Sequence, residues 1–214
     1  MLINFFHLIT IIVKIINSKK NIKNLFNIDF KDINTNEMSK YKKTLFVCSH
    51  DYCFVDIISA LIVSMKTDLI NNTYTVVRNS YNYVIPGMKV IERSKDTLNQ
   101  IIKTLQNENN VLIFYSRRHL QYLNIDKIVK EVDINIIPVK ITSNTIKPIS
   151  HNEDGVLENI NIYLYNHFEV KVLKKIHYNQ NYTKEKYIEI FSNILYPDGG
   201  YFNENDIFVD NTKN

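Results

Sequence analysis

From Thr44 to Ile57 the chain reads TLFVCSHDYCFVDI: a short apolar run, a polar turn, and a second apolar run. Thr44 to Cys48 has the β-branched and aromatic character of a buried strand. Ser49 to Asp51 reads as the turn, and 52–65 as a helix that Asp51 can cap. The alternation then continues. Residues 73–77 read as a strand and 83–93 (YVIPGMKVIER) as a loop with a short strand. Residues 96–106 form an amphipathic helix, with Leu98, Ile101, Ile102 and Leu105 on one face and Ser94 or Asp96 near its cap. A buried strand at 111–114, a helix over 123–132 and a strand at 134–141 follow. An alternating pattern within 160–173 suggests a hairpin, and 182–195 reads as a last helix. Strands alternating with helices imply an α/β fold, a mixed, largely parallel sheet flanked by helices. Sheets of this kind place their sites at the carboxyl ends of strands, where His50, Arg93 and Tyr115 to Arg118 fall.

The 214 residues are enough for one sizeable core, and no Pro-, Gly- or Ser-rich linker divides them. With only four glycines (Gly87, Gly155, Gly199 and Gly200) the chain has neither a G-x-G-x-x-G nor a G-x-x-x-x-G-K pattern. That argues against a nucleotide held by a glycine-rich loop. Cys48 and Cys53 are the only cysteines, a pair that fits neither a zinc site nor a disulfide framework and points to a reducing, cytosol-facing compartment. His7, His151, His167 and His177 have no partner at metal-ligand spacing, so no metal is expected. The net charge of +4 comes from scattered lysines. It favours anionic partners such as phospholipid head groups and supplies no basic run that would suggest nucleic acid.

Residues 2–16, LINFFHLITIIVKII, are almost all apolar and precede the basic segment SKKNIKN. The run is short of the roughly 20 residues of a membrane span and carries His7 and Lys14. One reading is a helix lying in a membrane interface, with the basic segment on a cytoplasmic, anionic surface; another is a helix packed on the domain's own core. No positive segment precedes the run and no small-residue cleavage site follows it, as a signal peptide would require. The chain thus divides into a membrane-associating helical segment (1–40), an α/β domain (41–196) and a polar, mobile tail (197–214).

Four blocks together resemble the glycerophospholipid acyltransferase family, which includes the lysophosphatidic acid acyltransferases. His50 and Asp56 resemble its Asn-His, four residues, Asp block. Gly87 to Arg93 (GMKVIER) resembles its Gly, then Phe-Ile-Asp/Glu-Arg block. The helix that follows leads to FYSRRHL (114–120), which resembles Phe-Pro-Glu-Gly-Thr-Arg, and IIPVKI with Pro138 resembles a late proline block. The likeness covers roughly residues 41–195. It departs in two places. Asp56 lies six positions after His50 where the family has five, so an ungapped alignment puts Asp51 in the histidine's place and His50 in the asparagine's. Ser116 stands where the family has glutamate, and Arg117 where it has glycine.

The resemblance implies transfer of a fatty acyl group from acyl-CoA or acyl carrier protein to a lysophospholipid such as 1-acylglycerol-3-phosphate, in phospholipid synthesis or remodelling. Acyl-CoA would be a co-substrate, with no bound cofactor and no metal, and the protein would sit at the cytoplasmic face of a membrane. His50 would be the base and Asp56 its partner, with Gly87, Arg93, Arg117 and Arg118 binding substrate; Asp51 is the alternative catalytic position. Acyl transfer to an alcohol needs a base, and a histidine near pKa 6.5 suits that better than an exposed aspartate near 3.9. Each residue also has a plain structural reading. Asp51 can cap the helix with His50 a turn residue, Arg93 can be a surface cation, and Gly87 can punctuate the turn after Pro86. Arg117 and Arg118, beside His119, can form a solvated loop, and Pro138 suits an edge or bend. The altered blocks leave open a second function, a catalytically inactive relative that binds lipid or a protein partner at a membrane.

Overall fold

The computed structural model describes residues 28–31, 41–50, 72–77, 89–143, 167–197, 201–202 and 208–209. Its strands are β1 (Ile28–Lys31), β2 (Thr44–Ser49), β3 (Thr73–Val77), β4 (Lys89–Glu92), β5 (Asn110–Tyr115), β6 (Asn135–Ser143), β7 (Phe168–Val172), β8 (Tyr201–Phe202) and β9 (Phe208–Val209). The helices are α1 (Thr97–Gln106), α2 (Ile125–Glu131) and α3 (Lys184–Leu195), with a 3₁₀ turn at Arg117–Tyr122. Seven strands form one sheet in the order β1-β7-β6-β2-β5-β3-β4. The five from β6 to β4 run parallel, β7 is antiparallel to β6, and β1 runs parallel to β7.

Burial follows position in the sheet. All six residues of β2 are buried, as a strand covered on both faces requires, whereas edge strand β4 (KVIE) buries only Ile91. Side chains alternate between faces. Leu45, Val47, Val111, Ile113 and Ile136 join one core cluster with Ile101 and Leu105 of α1, Ile128 of α2, and Tyr187 and Phe191 of α3. Phe46, Cys48, Leu112 and Phe114 point to the opposite face and are buried there.

The entry into β2 is held by side chains from its two neighbours. Asn110 of β5 is fully buried; its Oδ1 accepts the Thr44 N–H at 3.0 Å and its Nδ2 donates to the Tyr41 carbonyl at 3.1 Å. Asn135 of β6 donates its N–H to the Lys43 carbonyl at 2.9 Å and its Nδ2 to the Lys42 carbonyl at 3.2 Å. Lys43 itself sits at φ 51°, in the left-handed region, so the chain turns sharply before the ladder begins.

Several expectations are corrected. Within the segment 1–40 only Ile28–Lys31 is described, and it is a strand that pairs with β7, so the sheet begins before residue 41. Pro138 lies in an interior strand, not at an edge. Its carbonyl, on the β7 side, accepts the Leu173 N–H at 3.0 Å just past the last β6–β7 pair, Val139 with Val172. Proline has no N–H to return to Leu173, so the antiparallel ladder ends at this point. The helix expected from 123 starts at Ile125; Leu120 and Leu123, both fully buried and three residues apart, suit the tighter turn before it. Residues 197–214 carry a short antiparallel ladder, β8 with β9, and β8 lies against the 3₁₀ turn. The run 2–16, the helix 52–65 and residues 160–166 lie outside the described residues; Phe168–Val172 pairs with β6 and β1. No helix among the described residues is long and apolar enough to cross a membrane.

Replacing Asn110 with Ala removes both bonds to the chain entering β2 and leaves a buried N–H without its acceptor. A loss of about 1–3 kcal/mol is expected, read as a lower urea midpoint at unchanged m. An unchanged midpoint would show that the entry is held by the ladder alone.

Candidate active site

β2 and β5 are neighbours whose onward connections leave in opposite directions along the sheet, β2 toward β3 and β5 toward β6. Such a reversal is where α/β sheets open a crevice at the carboxyl ends of strands. The last pair of the β2–β5 ladder is Ser49 with Tyr115. On the other side of β2, the fully buried Ser49 accepts the Ile141 N–H on its Oγ at 2.9 Å.

One residue further, the ladder changes. The His50 N–H, next in line to bond β5, donates to the Tyr196 phenol oxygen at 3.1 Å, and the Tyr196 hydroxyl donates to the Tyr115 carbonyl at 2.5 Å. Tyr196 is the residue that ends α3, and it is 3% exposed. Arg117 places its guanidinium carbon 5.2 Å from the centre of the Tyr196 ring, a cation–π contact.

The His50 ring lies 5.8 Å from the Phe114 ring, tilted by 53°. Arg93 follows β4, its N–H bonded to the Val77 carbonyl at 2.8 Å, and its Nη2 donates to the Phe114 carbonyl at 3.3 Å. Phe114 is therefore the shared neighbour of the two residues. They approach it from different sides. Alternation sets the Phe114 ring, and His50 against it, on one face of the sheet, while Arg93 lines a cleft on the other face with Ile113 and Tyr115.

The cleft has a volume of about 320 Å³. Arg93, Lys95 and His119 make its polar side, and Ile101, Ile113 and Ile128 belong to its apolar wall. Ser116, buried at the end of β5, shares a hydrogen bond of 2.7 Å between its Oγ and His119 Nδ1. Tyr122, the exposed aromatic of the 3₁₀ turn, also lines the cleft, with its ring 6.1 Å from that of His119. Burial pushes the Tyr115 phenol up to about 12, against the opposing charge of Arg93.

Of the residues singled out in the sequence, His50 and Arg93 meet at the carboxyl edge through Phe114. Arg117 is turned onto Tyr196. Arg118 belongs to the 3₁₀ turn by its backbone, and its side chain lies outside the described residues, as do Asp51, Asp56 and Gly87. Ser49, Tyr196 and the Ser116–His119 pair were not anticipated. The Ser-x-x-His spacing at a strand end was a readable signal of the pair, since residues three apart can meet across one turn. Nothing in the sequence marks the tyrosine before Pro197. No group of three or more His, Cys, Asp or Glu among the described residues could hold a metal ion. The chain matches no family model and no curated protein.

The raised Tyr115 pKa has a consequence at alkaline pH. The unfolded phenol ionises near 10 and the folded one near 12, so stability is unaffected below pH 10 and falls as pH rises from there toward 12. Tyr178, raised to about 12 chiefly by its hydrogen bond to Asp133, contributes in the same direction. Tyr115→Phe should remove part of this alkaline fall, measured as thermal midpoint against pH; an identical slope in the variant would contradict the burial of this hydroxyl.

Proposed function

We propose that the chain is an acyltransferase of the glycerophospholipid type, moving an acyl group from acyl-CoA or acyl carrier protein to a lysophospholipid such as 1-acylglycerol-3-phosphate. The observation that carries this reading is the convergence on Phe114. His50 packs on its ring, Arg93 reaches its carbonyl, and the residue begins the FYSRRHL block. Residues of three blocks far apart in sequence thus adjoin one strand end, which supports the reading.

In this mechanism His50 takes the proton of the acceptor hydroxyl as its oxygen attacks the thioester carbonyl. The C–S bond breaks, and the thiolate leaves with a proton. Asp56 is assigned to orient the imidazole, with Asp51 as the alternative catalytic position. Arg93 gives one of a guanidinium's five N–H donors to Phe114, and the phosphate of the acceptor is assigned to it together with Arg118. Gly87 is assigned to close backbone approach. At about 320 Å³ the cleft lies at the lower end of ligand pockets, the size of a head group with its first carbons rather than a whole lipid. The remaining chain would stay in a membrane reached through residues 2–16, on the cytoplasmic face.

The second reading, an inactive relative that binds lipid or a protein partner at a membrane, is favoured by one observation. The His50 ring and the Arg93 cleft occupy opposite faces of the sheet. Acyl-CoA consumption by membranes containing the protein, offered lysophosphatidate and other lysophospholipids, separates the two. Turnover should fall about 10²- to 10⁴-fold in His50→Ala and persist in Asp51→Ala. Arg93→Ala should raise KM for the phosphate acceptor about tenfold or more, the loss of a charge-assisted bond. No turnover by folded wild type across donors and acceptors would leave the inactive lipid binder as the function.

A further inference from the structure

We propose that Tyr196 is a positioning residue that holds open the crevice between β2 and β5 and sets His50 within it. The inference rests on the acyl-transfer reading, in which His50 is the base. A regular parallel ladder continuing from Ser49 and Tyr115 would bond the His50 N–H directly to the Tyr115 carbonyl. The Tyr196 hydroxyl stands between them, accepting from one strand at 3.1 Å and donating to the other at 2.5 Å. One hydroxyl thus bridges the two backbone groups where the ladder ends.

The rest of the residue is fixed. The Tyr196 ring belongs to the core cluster beneath the sheet, its backbone N–H bonds the Ser192 carbonyl at 2.8 Å at the end of α3, and Arg117 covers the ring. A rigid phenol of this kind sets the distance between strands better than a mobile side chain or a water. On the far side of β2, Ser49 ties the strand to β6. The backbone ahead of His50 is therefore held from both neighbours, so the ring leaves the sheet against Phe114. Without the hydroxyl, the His50 N–H either closes onto Tyr115, moving the ring, or loses its acceptor. Both displace His50, whereas Arg93 keeps its own bond to the Phe114 carbonyl.

Tyr196→Phe keeps the ring, the packing and the Arg117 contact, and removes only the hydroxyl. Tyr187→Phe is the control. It deletes a hydroxyl of the same helix, one that bonds the backbone of Asn179 at 3.0 and 3.3 Å. NMR on protein labelled at histidine should show the His50 amide and ring resonances displaced, and amide exchange at His50 about tenfold faster, in Tyr196→Phe and not in Tyr187→Phe. With lysophosphatidate, kcat of Tyr196→Phe should fall about tenfold or more while KM stays within about twofold. Unmoved His50 resonances with unchanged kcat overturn the proposal, as does an equal displacement in Tyr187→Phe, which would mark a general loosening of the fold. If the wild type turns over no acyl donor, the acyl-transfer reading fails, and the His50 resonances alone decide whether Tyr196 places this residue.

Discussion

β2 runs through the middle of the sheet with every residue buried, and side chains from other strands and from α3 fix where it begins and ends. At the amino end, Asn110 and Asn135 lace residues 41–44 between β5 and β6. At the carboxyl end, Ser49 bonds across to β6 and Tyr196 stands between β2 and β5. These are bonds of a buried strand whose own ladder has run out, and a polar backbone group left unmade there would cost more than the bond itself contributes. The rest of the carboxyl edge takes its geometry from this strand. His50 can lie against Phe114 only because β2 stops where it does.

The edge is used on both faces. On one, His50 rests on the Phe114 ring. On the other, Arg93 reaches over the strand end to the Phe114 carbonyl and forms a cleft with Tyr115 and His119. A ligand whose phosphate is held in the cleft would have to pass the crevice between β2 and β5 to meet the imidazole. Arg117, one of the arginines expected to meet phosphate, packs on the Tyr196 ring.

Much of this fold was legible in the sequence. The apolar run from Thr44 gave β2 to within one residue, 73–77 gave β3 without error, and the spacing of Leu98, Ile101, Ile102 and Leu105 marked the buried side of α1. These are local signals, each carried by periodicity within one element. Long-range contacts were not legible. Ile28–Lys31 reads as four unremarkable residues, and only the open edge of β7 makes it a strand. Pro138 reads as an edge residue until the β7 ladder is seen to stop at Val139. His50 and Arg93 were found by block order, which places a residue at a strand end and says nothing of the face its side chain takes. Tyr196 stands 146 positions from the N–H that it accepts, and no local pattern could have connected them.

A lysophosphatidate carrying a photoactivatable diazirine on the first carbons of its acyl chain, added to the full-length protein in vesicles and mapped by mass spectrometry, tests most directly whether the carboxyl edge receives such a lipid. Adducts are expected on peptides spanning residues 93–101 and 113–128, around the cleft, and should diminish in Arg93→Ala and under competition by unlabelled lysophosphatidate. Adducts confined to other parts of the chain, or cleft adducts indifferent to both, would contradict a lipid acceptor held at this edge.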